Sequence, residues 1–314
     1  MQSNEHGPIV ILGTGGTIAG TAADPHDNVG YRAAQLGVAD LVAAVPALAR
    51  WPLETEQVAQ LDSKDMDFGV WQLLAQRVAH HLARPEVRGV VVTHGTDTLE
   101  ETAYFLHRLL APAKPVVMVA AMRPASALRP DGPQNLLDAV TVAATPGARG
   151  VLAVLAGQVH SGLEVRKAHT YRLDAFGSGD AGPLGYVEEG RLRQLRDWPQ
   201  GEPLGLACLP ASPAGWPWVE IISSHAGADG RWAAALAGLP VQGLVVVGTG
   251  NGTVHERLEA ELVRAQARGV RVLRCSRCAE GVVVPTGRQA LPSAGALTPW
   301  KARVELMLQL MAAG

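Results

Sequence analysis

The sequence predicts an α/β fold in two parts: a larger N-terminal domain with a mostly parallel sheet flanked by helices, and a smaller C-terminal α/β domain. Three observations carry that expectation. Short β-rich apolar runs alternate with amphipathic stretches, the alternation lapses between about 190 and 215, and a second strand–helix–strand pattern begins beyond the lapse. The expected boundaries are 1–195 for the first domain, 196–214 for a linker and 215–314 for the second domain.

The apolar runs PIVIL (8–12), GVVVT (89–93), PVVMVAA (115–121) and GVLAVLA (150–156) read as strands. Unbroken Val, Ile and Leu without polar alternation is the pattern of a parallel strand covered on both faces. Between them, MDFGVWQLLAQRVAHHL places Met66, Val70, Leu74, Val78 and Leu82 four apart, which lines one face of a helix. Leu99, Ala103, Leu106 and Leu110 do the same after GVVVTHGTD, and Thr98 with Glu101 fits a capping box at that helix start. The stretch EEGRLRQLRDWPQGEPLGLACLPASPAGWPW reads as a linker with a short strand near its middle. Trp216 and Trp218 within it read as packing anchors. Beyond it GLVVVG (243–248), a helix over 255–268 and VRVLR (270–274) complete the second pattern.

Composition removes several function classes. The 314 residues are 47% apolar and 18% charged, enough for a sizeable core, and the 35 Gly and 21 Pro are dispersed rather than periodic. A formal charge of −2, with no Lys/Arg cluster, gives no electrostatic footprint for nucleic acid or an anionic membrane. No segment approaches the roughly 20 apolar residues of a membrane span. Three cysteines cannot build a disulfide framework. Cys275 and Cys278 form one CxxC without a second pair, so they read as ordinary thiols rather than a closed zinc site. The start MQSNEHGPIVILG lacks a basic n-region and a long apolar h-region, so the expected address is cytoplasmic, or periplasmic for a processed form. His80 and His81 read as a solvated helix face.

In open parallel sheets ligands bind beyond the carboxyl ends of the strands. Those exits carry GTGGTIAG after PIVIL, Asp62-Ser63-Lys64-Asp65 after EQVAQL, His94-Gly95-Thr96-Asp97-Thr98 after GVVVT, and Thr249-Gly250-Asn251-Gly252-Thr253 after GLVVVG. Hydroxyls, carboxylates and glycines recur there; arginines do not. A dinucleotide loop G-x-G-x-x-G fails on spacing, because the sixth position is Ile18 counting from Gly13 and Thr253 counting from Gly248. A P-loop, a G-x-S-x-G elbow and an H-E-x-x-H motif are all absent. What remains is Thr14 among glycines that let a substrate approach its hydroxyl closely. A threonine hydroxyl becomes a nucleophile only when a neighbour takes or orders its proton, and the second hydroxyl–carboxylate pair, Thr96-Asp97, is the candidate helper together with a lysine. His94 reads as a backbone-orienting residue rather than a titrating one.

The segments TGGTIAG (14–20) and VTHGTDTLEETAYFL (92–106) resemble the two signatures of the bacterial L-asparaginase/glutaminase family. The resemblance extends through YRAAQLGVADLVAAVP (31–46), SKDM (63–66), KPVVMVAAMRP (114–124), DGPQNLLDAV (131–140), GPLGY (182–186) and GTGNGT (248–253) to LTPWKARVELMLQL (297–310), nearly the whole chain. It implies hydrolysis of L-asparagine to L-aspartate and ammonia, with L-glutamine as an alternative substrate and no metal or organic cofactor. It also implies a homotetramer, a dimer of intimate dimers, with each site shared between two subunits.

By this resemblance Thr14 is the nucleophile that forms a β-aspartyl ester, and Tyr31 is the lid tyrosine. Ser63 holds the substrate α-carboxylate, Thr96 and Lys167 form the second hydroxyl–lysine pair, and Asp97 meets the α-ammonium. Three positions depart from the family pattern. Lys64 stands where relatives carry Gln or Glu, and Thr253 where the neighbouring subunit supplies Asn or Ser. Glu280, the only carboxylate between 262 and 304, becomes the candidate second contact to the α-ammonium on a shortened loop. The expected activity is that of an L-asparaginase. Rival readings are a dual glutaminase–asparaginase, an amidase subunit of a transamidation complex and a non-catalytic amino-acid sensor. The transamidation subunit is disfavoured because the strand into TGGTIAG starts by residue 8.

Overall fold

The computed structural model describes residues 7–287 and 290–313, so the reading of MQSNEH as free of a basic leader lies outside the described residues. Two compact units divide the chain, Met1–Leu206 and Ala207–Gly314, and the expected linker 196–214 spans that division. No strand forms in the middle of that stretch; Leu206–Cys208 is a 3₁₀ turn instead. Prolines and glycines on either side leave too few consecutive N–H groups for a ladder.

In the first unit β1 (Ile9–Gly15), β2 (Leu53–Leu61), β3 (Gly89–Thr93), β4 (Pro115–Val119) and β5 (Gly150–Leu155) run parallel. β6 (Gln158–Ser161) turns back antiparallel beside β5. The two-residue strands β7 (Arg166–Lys167) and β8 (Phe176–Gly177) pair with each other apart from the main sheet. β9 (Gly185–Glu188) and β10 (Arg191–Gln194) extend it as a hairpin. The eight-stranded order is β10-β9-β6-β5-β4-β3-β1-β2.

The predicted strands form because every residue of β1, β3, β4 and β5 is buried, which their continuous apolar runs require. Helices α1 (Val38–Ala43), α2 (Phe68–Leu82), α3 (Leu99–Leu110) and α4 (Gly132–Ala143) supply the cover. α1 and α4 pack with Ile9, Ile11, Val91, Val117 and Leu152, while the alternate residues Val10, Leu12, Val90, Val92 and Met118 turn toward α2 and α3. Trp71 of α2 stacks on Phe105 of α3 at 5.0 Å between ring centroids.

The buried stripe of α2 is Trp71, Leu74, Ala75, Val78 and His81; of the expected row Leu74 and Val78 lie in it, while Met66, Val70 and Leu82 are only partly buried. Asp67 starts the helix, its carboxylate accepting the Val70 N–H at 2.8 Å, which leaves Met66 outside. His81 is therefore a buried residue and only His80 is exposed, which corrects the reading of both as solvated. His81 Nε2 lies 2.8 Å from Glu56 Oε2 on β2.

The second unit has a three-stranded parallel sheet of β11 (Val219–Ser223), β12 (Gly243–Gly248) and β13 (Arg271–Ser276), in that order. α5 (Arg231–Leu236), α6 (Glu256–Ala267) and α7 (Pro299–Ala313) flank it. Its core holds Leu244, Val246, Leu258, Leu262, Val272 and Leu291. Trp216 is buried, whereas Trp218 is partly exposed and donates its indole N–H to Glu220 at 2.7 Å. Cys275 is buried and Cys278 exposed, both as free thiols. Among the described residues no helix is long and apolar enough to cross a membrane.

Candidate active site

The parallel strands lie in the order 2-1-3-4-5, so the chain runs outward from β1 to β2 and then returns to β3 on the other side. The chain leaves β1 for α1 and β3 for α3, on opposite faces of the sheet, and the carboxyl ends at such a reversal are the usual ligand position in these sheets. Thr14 sits at the end of β1, and Thr96 and Asp97 follow β3.

Thr14 is 1% exposed, and its hydroxyl donates to the Thr93 carbonyl at 2.8 Å. It occupies an irregularity in the ladder: Gly13 pairs with Gln57 and Gly15 with Leu61, four steps along β2 against two along β1. Irregularities of this kind re-aim a side chain next to a site. Gly16 follows at φ 84° and ψ −173°, backbone open to essentially glycine alone. A Cβ on Gly16 would strike the backbone of Gly95, and a Cβ on Gly95 would strike the Ser63 hydroxyl. The loops after β1, β2 and β3 therefore touch through glycine.

Ser63 opens a 3₁₀ turn and is 2% exposed. Its Oγ accepts the Asp97 N–H at 3.2 Å, and its carbonyl accepts the Thr98 hydroxyl at 2.8 Å. That second bond replaces the expected capping box, since Thr98 makes no side-chain cap on α3. The tertiary acceptor, Ser63 O, wins over the local one.

Lys167 bridges the second hydroxyl–carboxylate pair, donating from Nζ to Thr96 Oγ1 at 2.9 Å and to Asp97 Oδ1 at 2.6 Å. Thr96 is 6% exposed, while the Asp97 side chain is half exposed. Asp97, Lys167, Ala168, His169 and Thr170 line a cavity of about 370 Å³. Lys64 is exposed and already paired with Asp62 at 2.7 Å and Asp65 at 3.4 Å.

Tyr31 returns toward β1 because Thr21 and Arg32 close a short bridge with two 2.9 Å backbone bonds. Its hydroxyl shares a 2.5 Å hydrogen bond with Thr17, not Thr14. Burial pushes its phenol above the usual value; the Thr17 bond opposes that, the carboxylates of Asp62 and Asp97 add to it, and Lys64 lowers it. Tyr31 is thus a protonated hydroxyl at neutral pH. Thr17 escaped sequence reasoning, although its signal stood in the same T-G-G-T run. His94 is fully buried between Thr102 Oγ1, 3.0 Å from Nε2, and the Gly95 carbonyl, 2.7 Å from Nδ1.

On the second unit, Thr249 and Thr253 exchange backbone bonds at 2.8 and 2.7 Å and hold a tight loop after β12. Arg274 donates to the carbonyls of Asn251 and Gly252, and Ser276 Oγ donates to Gly250 O at 2.6 Å. Asn251 exchanges two bonds with Val284. The loop of Thr253 and the segment carrying Glu280 are thereby laced together, with both residues exposed. Seven of the nine expected residues stand on the first unit and two on the second. Among the described residues no group of three or more His, Cys, Asp or Glu side chains could hold a metal ion.

Comparison with known proteins matches this arrangement over both units. The family model "Asparaginase, N-terminal" matches residues 8–200, and "Glutaminase/Asparaginase C-terminal domain" matches residues 218–313. L-asparaginase 2 of Escherichia coli (strain K12) is 38% identical over 314 residues, covering 96% of this chain and 88% of that protein. Glutaminase-asparaginase of Pseudomonas fluorescens biotype A is 35% identical, covering 96% and 86%. Among solved structures, "Probable Cytoplasmic L-asparaginase" from Campylobacter jejuni superposes with a TM-score of 0.90 at 37% identity, covering 97% of this chain and 95% of that one. With family models spanning both units and relatives alike over nearly its full length, the chain belongs to the asparaginase family.

Proposed function

We propose that the protein is an amidohydrolase that cleaves the side-chain amide of L-asparagine to L-aspartate and ammonia through an ester on Thr14. What supports this reading is that a buried Thr14 hydroxyl ends β1 while a Lys167–Thr96–Asp97 cluster follows β3, the strand paired beside it. The Thr14 proton already points at the Thr93 carbonyl, which leaves the oxygen's lone pairs for the amide carbon.

Attack forms the Thr14 C–O bond and moves charge onto the amide oxygen, where backbone N–H groups of the glycine loops provide donors. The C–N bond then breaks, the nitrogen takes the hydroxyl's proton, and ammonia leaves. Water next adds to the ester carbon; its proton returns to Thr14 as the ester bond breaks, with Thr96 and Lys167 ordering the water. Ser63 Oγ accepts from Asp97 N–H and keeps its own proton to donate to the α-carboxylate. Asp97 engages Lys167 through Oδ1 and offers its other oxygen to the α-ammonium. Tyr31, tied to Thr17, serves as the lid residue, and Lys64, neutralised by Asp62 and Asp65, stays at the surface beside Ser63. Thr253 and Glu280 act from a neighbouring copy in a homotetramer of two intimate dimers. The Campylobacter neighbour's name supports a cytoplasmic address, and a Haemophilus influenzae relative named periplasmic supports the processed alternative.

L-Glutamine is the second substrate to weigh, because one relative is named a glutaminase-asparaginase and one methylene is worth only about 1–3 kcal/mol of discrimination. Thr14→Ala tests the reading. Ammonia release from L-asparagine and L-glutamine is expected to fall by at least about 10³-fold, the scale of losing a nucleophile, while L-aspartate still raises Tm. Unchanged release would remove Thr14 as nucleophile.

A further inference from the structure

Lys167 ends β7, a strand two residues long that among the described residues pairs with β8 alone. So short a pairing does not by itself fix the Cα of a side chain with four rotatable bonds. The main-chain N–H of Lys167 donates instead to Glu100 Oε2 at 2.9 Å, across 67 positions of sequence. Glu100 is 6% exposed and lies in the first turn of α3, the helix that follows directly from the Thr96–Asp97 loop. The contacts close a ring. Glu100 holds the backbone of Lys167 to α3, and the same lysine's ammonium reaches the two residues that lead into that helix.

We propose that Glu100 is the positioning residue for the reaction, anchoring the Lys167 main chain so that its ammonium reaches Thr96 and Asp97 together. The proposal rests on the role given above to the Lys167–Thr96 pair and adds what sets its geometry. The acceptor oxygen fixes the backbone end of the lysine while Thr96 and Asp97 receive its ammonium, so its removal lets the ammonium leave one partner or the other. Nothing in the local sequence marks Glu100 for this. It reads as an N-terminal helix acid, favoured there by the helix dipole.

The test compares kcat and KM for L-asparagine, and Tm, in the parent, E100A, E100Q, K167M and the E100A/K167M pair. E100A is expected to lower kcat by at least about 30-fold with KM within about threefold, and E100Q, which keeps an acceptor oxygen, to recover most of that loss. In the K167M background E100A is expected to add less than about twofold, because its effect passes through the lysine. Equal losses in both backgrounds, or an E100Q as impaired as E100A, would overturn the proposal. A fully active K167M would instead remove the lysine's own role, a separate failure read from a separate variant. Should E100A lose its fold, E100M keeps the stem without an oxygen acceptor and serves the same comparison.

Discussion

Trp71 donates its indole N–H to Thr102 Oγ1 at 2.8 Å, and Thr102 in turn stands 3.0 Å from His94 Nε2. A carbonyl only accepts, so the 2.7 Å contact with Gly95 O places the imidazole proton on Nδ1 and makes Nε2 the acceptor for Thr102. Burial pushes the His94 pKa down to about 4, with the Gly95 bond opposing it. The folded value lies below the ordinary 6.5, so the neutral ring contributes stability above pH 6.5, and that contribution is lost as pH falls through about 4. Nitrogen-15 NMR of labelled histidine is expected to show the Nδ1-protonated tautomer for His94, with no titration between pH 8 and about 5. The sequence made the orienting role of His94 legible through its place before Gly-Thr-Asp. The roles of Thr98 and Thr17 were not legible, because their partners, Ser63 O and the Tyr31 hydroxyl, come from segments that only folding brings near.

At the scale of elements, β2 borders the sheet and is held by charge to α2 and to Arg84 just past its end. Arg77 grips Glu56 through two bonds of 2.6 and 2.8 Å, His81 adds a third, and Arg84 grips Glu54 through two more. The Arg77 guanidinium, helped by His81, holds the Glu56 carboxyl down at about 2. A depressed folded value means stability that is present above the ordinary 4.5 and is lost as pH falls through about 2. Glu56→Gln is expected to lower stability by about 1–2 kcal/mol at pH 7, a figure reduced for partial exposure, and the difference is expected to shrink as pH falls below 4.5. Urea melts of the two proteins across that range measure it. β1, β3, β4 and β5 were legible because burial on both faces leaves an unmistakable apolar run. β6, β9 and β10 were not, being four residues each and partly polar, with neighbours in the sheet that no local pattern specifies. The α2 stripe shifted for a similar reason, since the charges of β2 give a histidine a buried place.

At the scale of the whole molecule, the strand order rather than any motif explains why residues 79 positions apart in sequence, Thr14 and Thr93, share a hydrogen bond. That order was invisible in the sequence, because alternation of strand and helix is compatible with several parallel arrangements. Exit residues could be singled out, and those of Thr14 and Thr96 taken as neighbours, as the β1–β3 pairing has them; the rest of the order could not. The expectation that a neighbouring copy supplies Thr253 and Glu280 belongs to this scale as well. Light scattering on the purified protein is expected to give a mass near four times the 32.9 kDa of one chain, and a monomer with full turnover would remove the shared-site reading.

The contact of Gly16 with Gly95, backbone against backbone, also bears on how such a protein could be altered by laboratory selection. Two stretches that leave no room for so much as a methyl group cannot serve as dials for substrate choice, since most changes there disturb the nucleophile itself. Mutant libraries seeking a new amide would do better to spare 13–17 and 92–97 and to vary the cavity wall at 168–170.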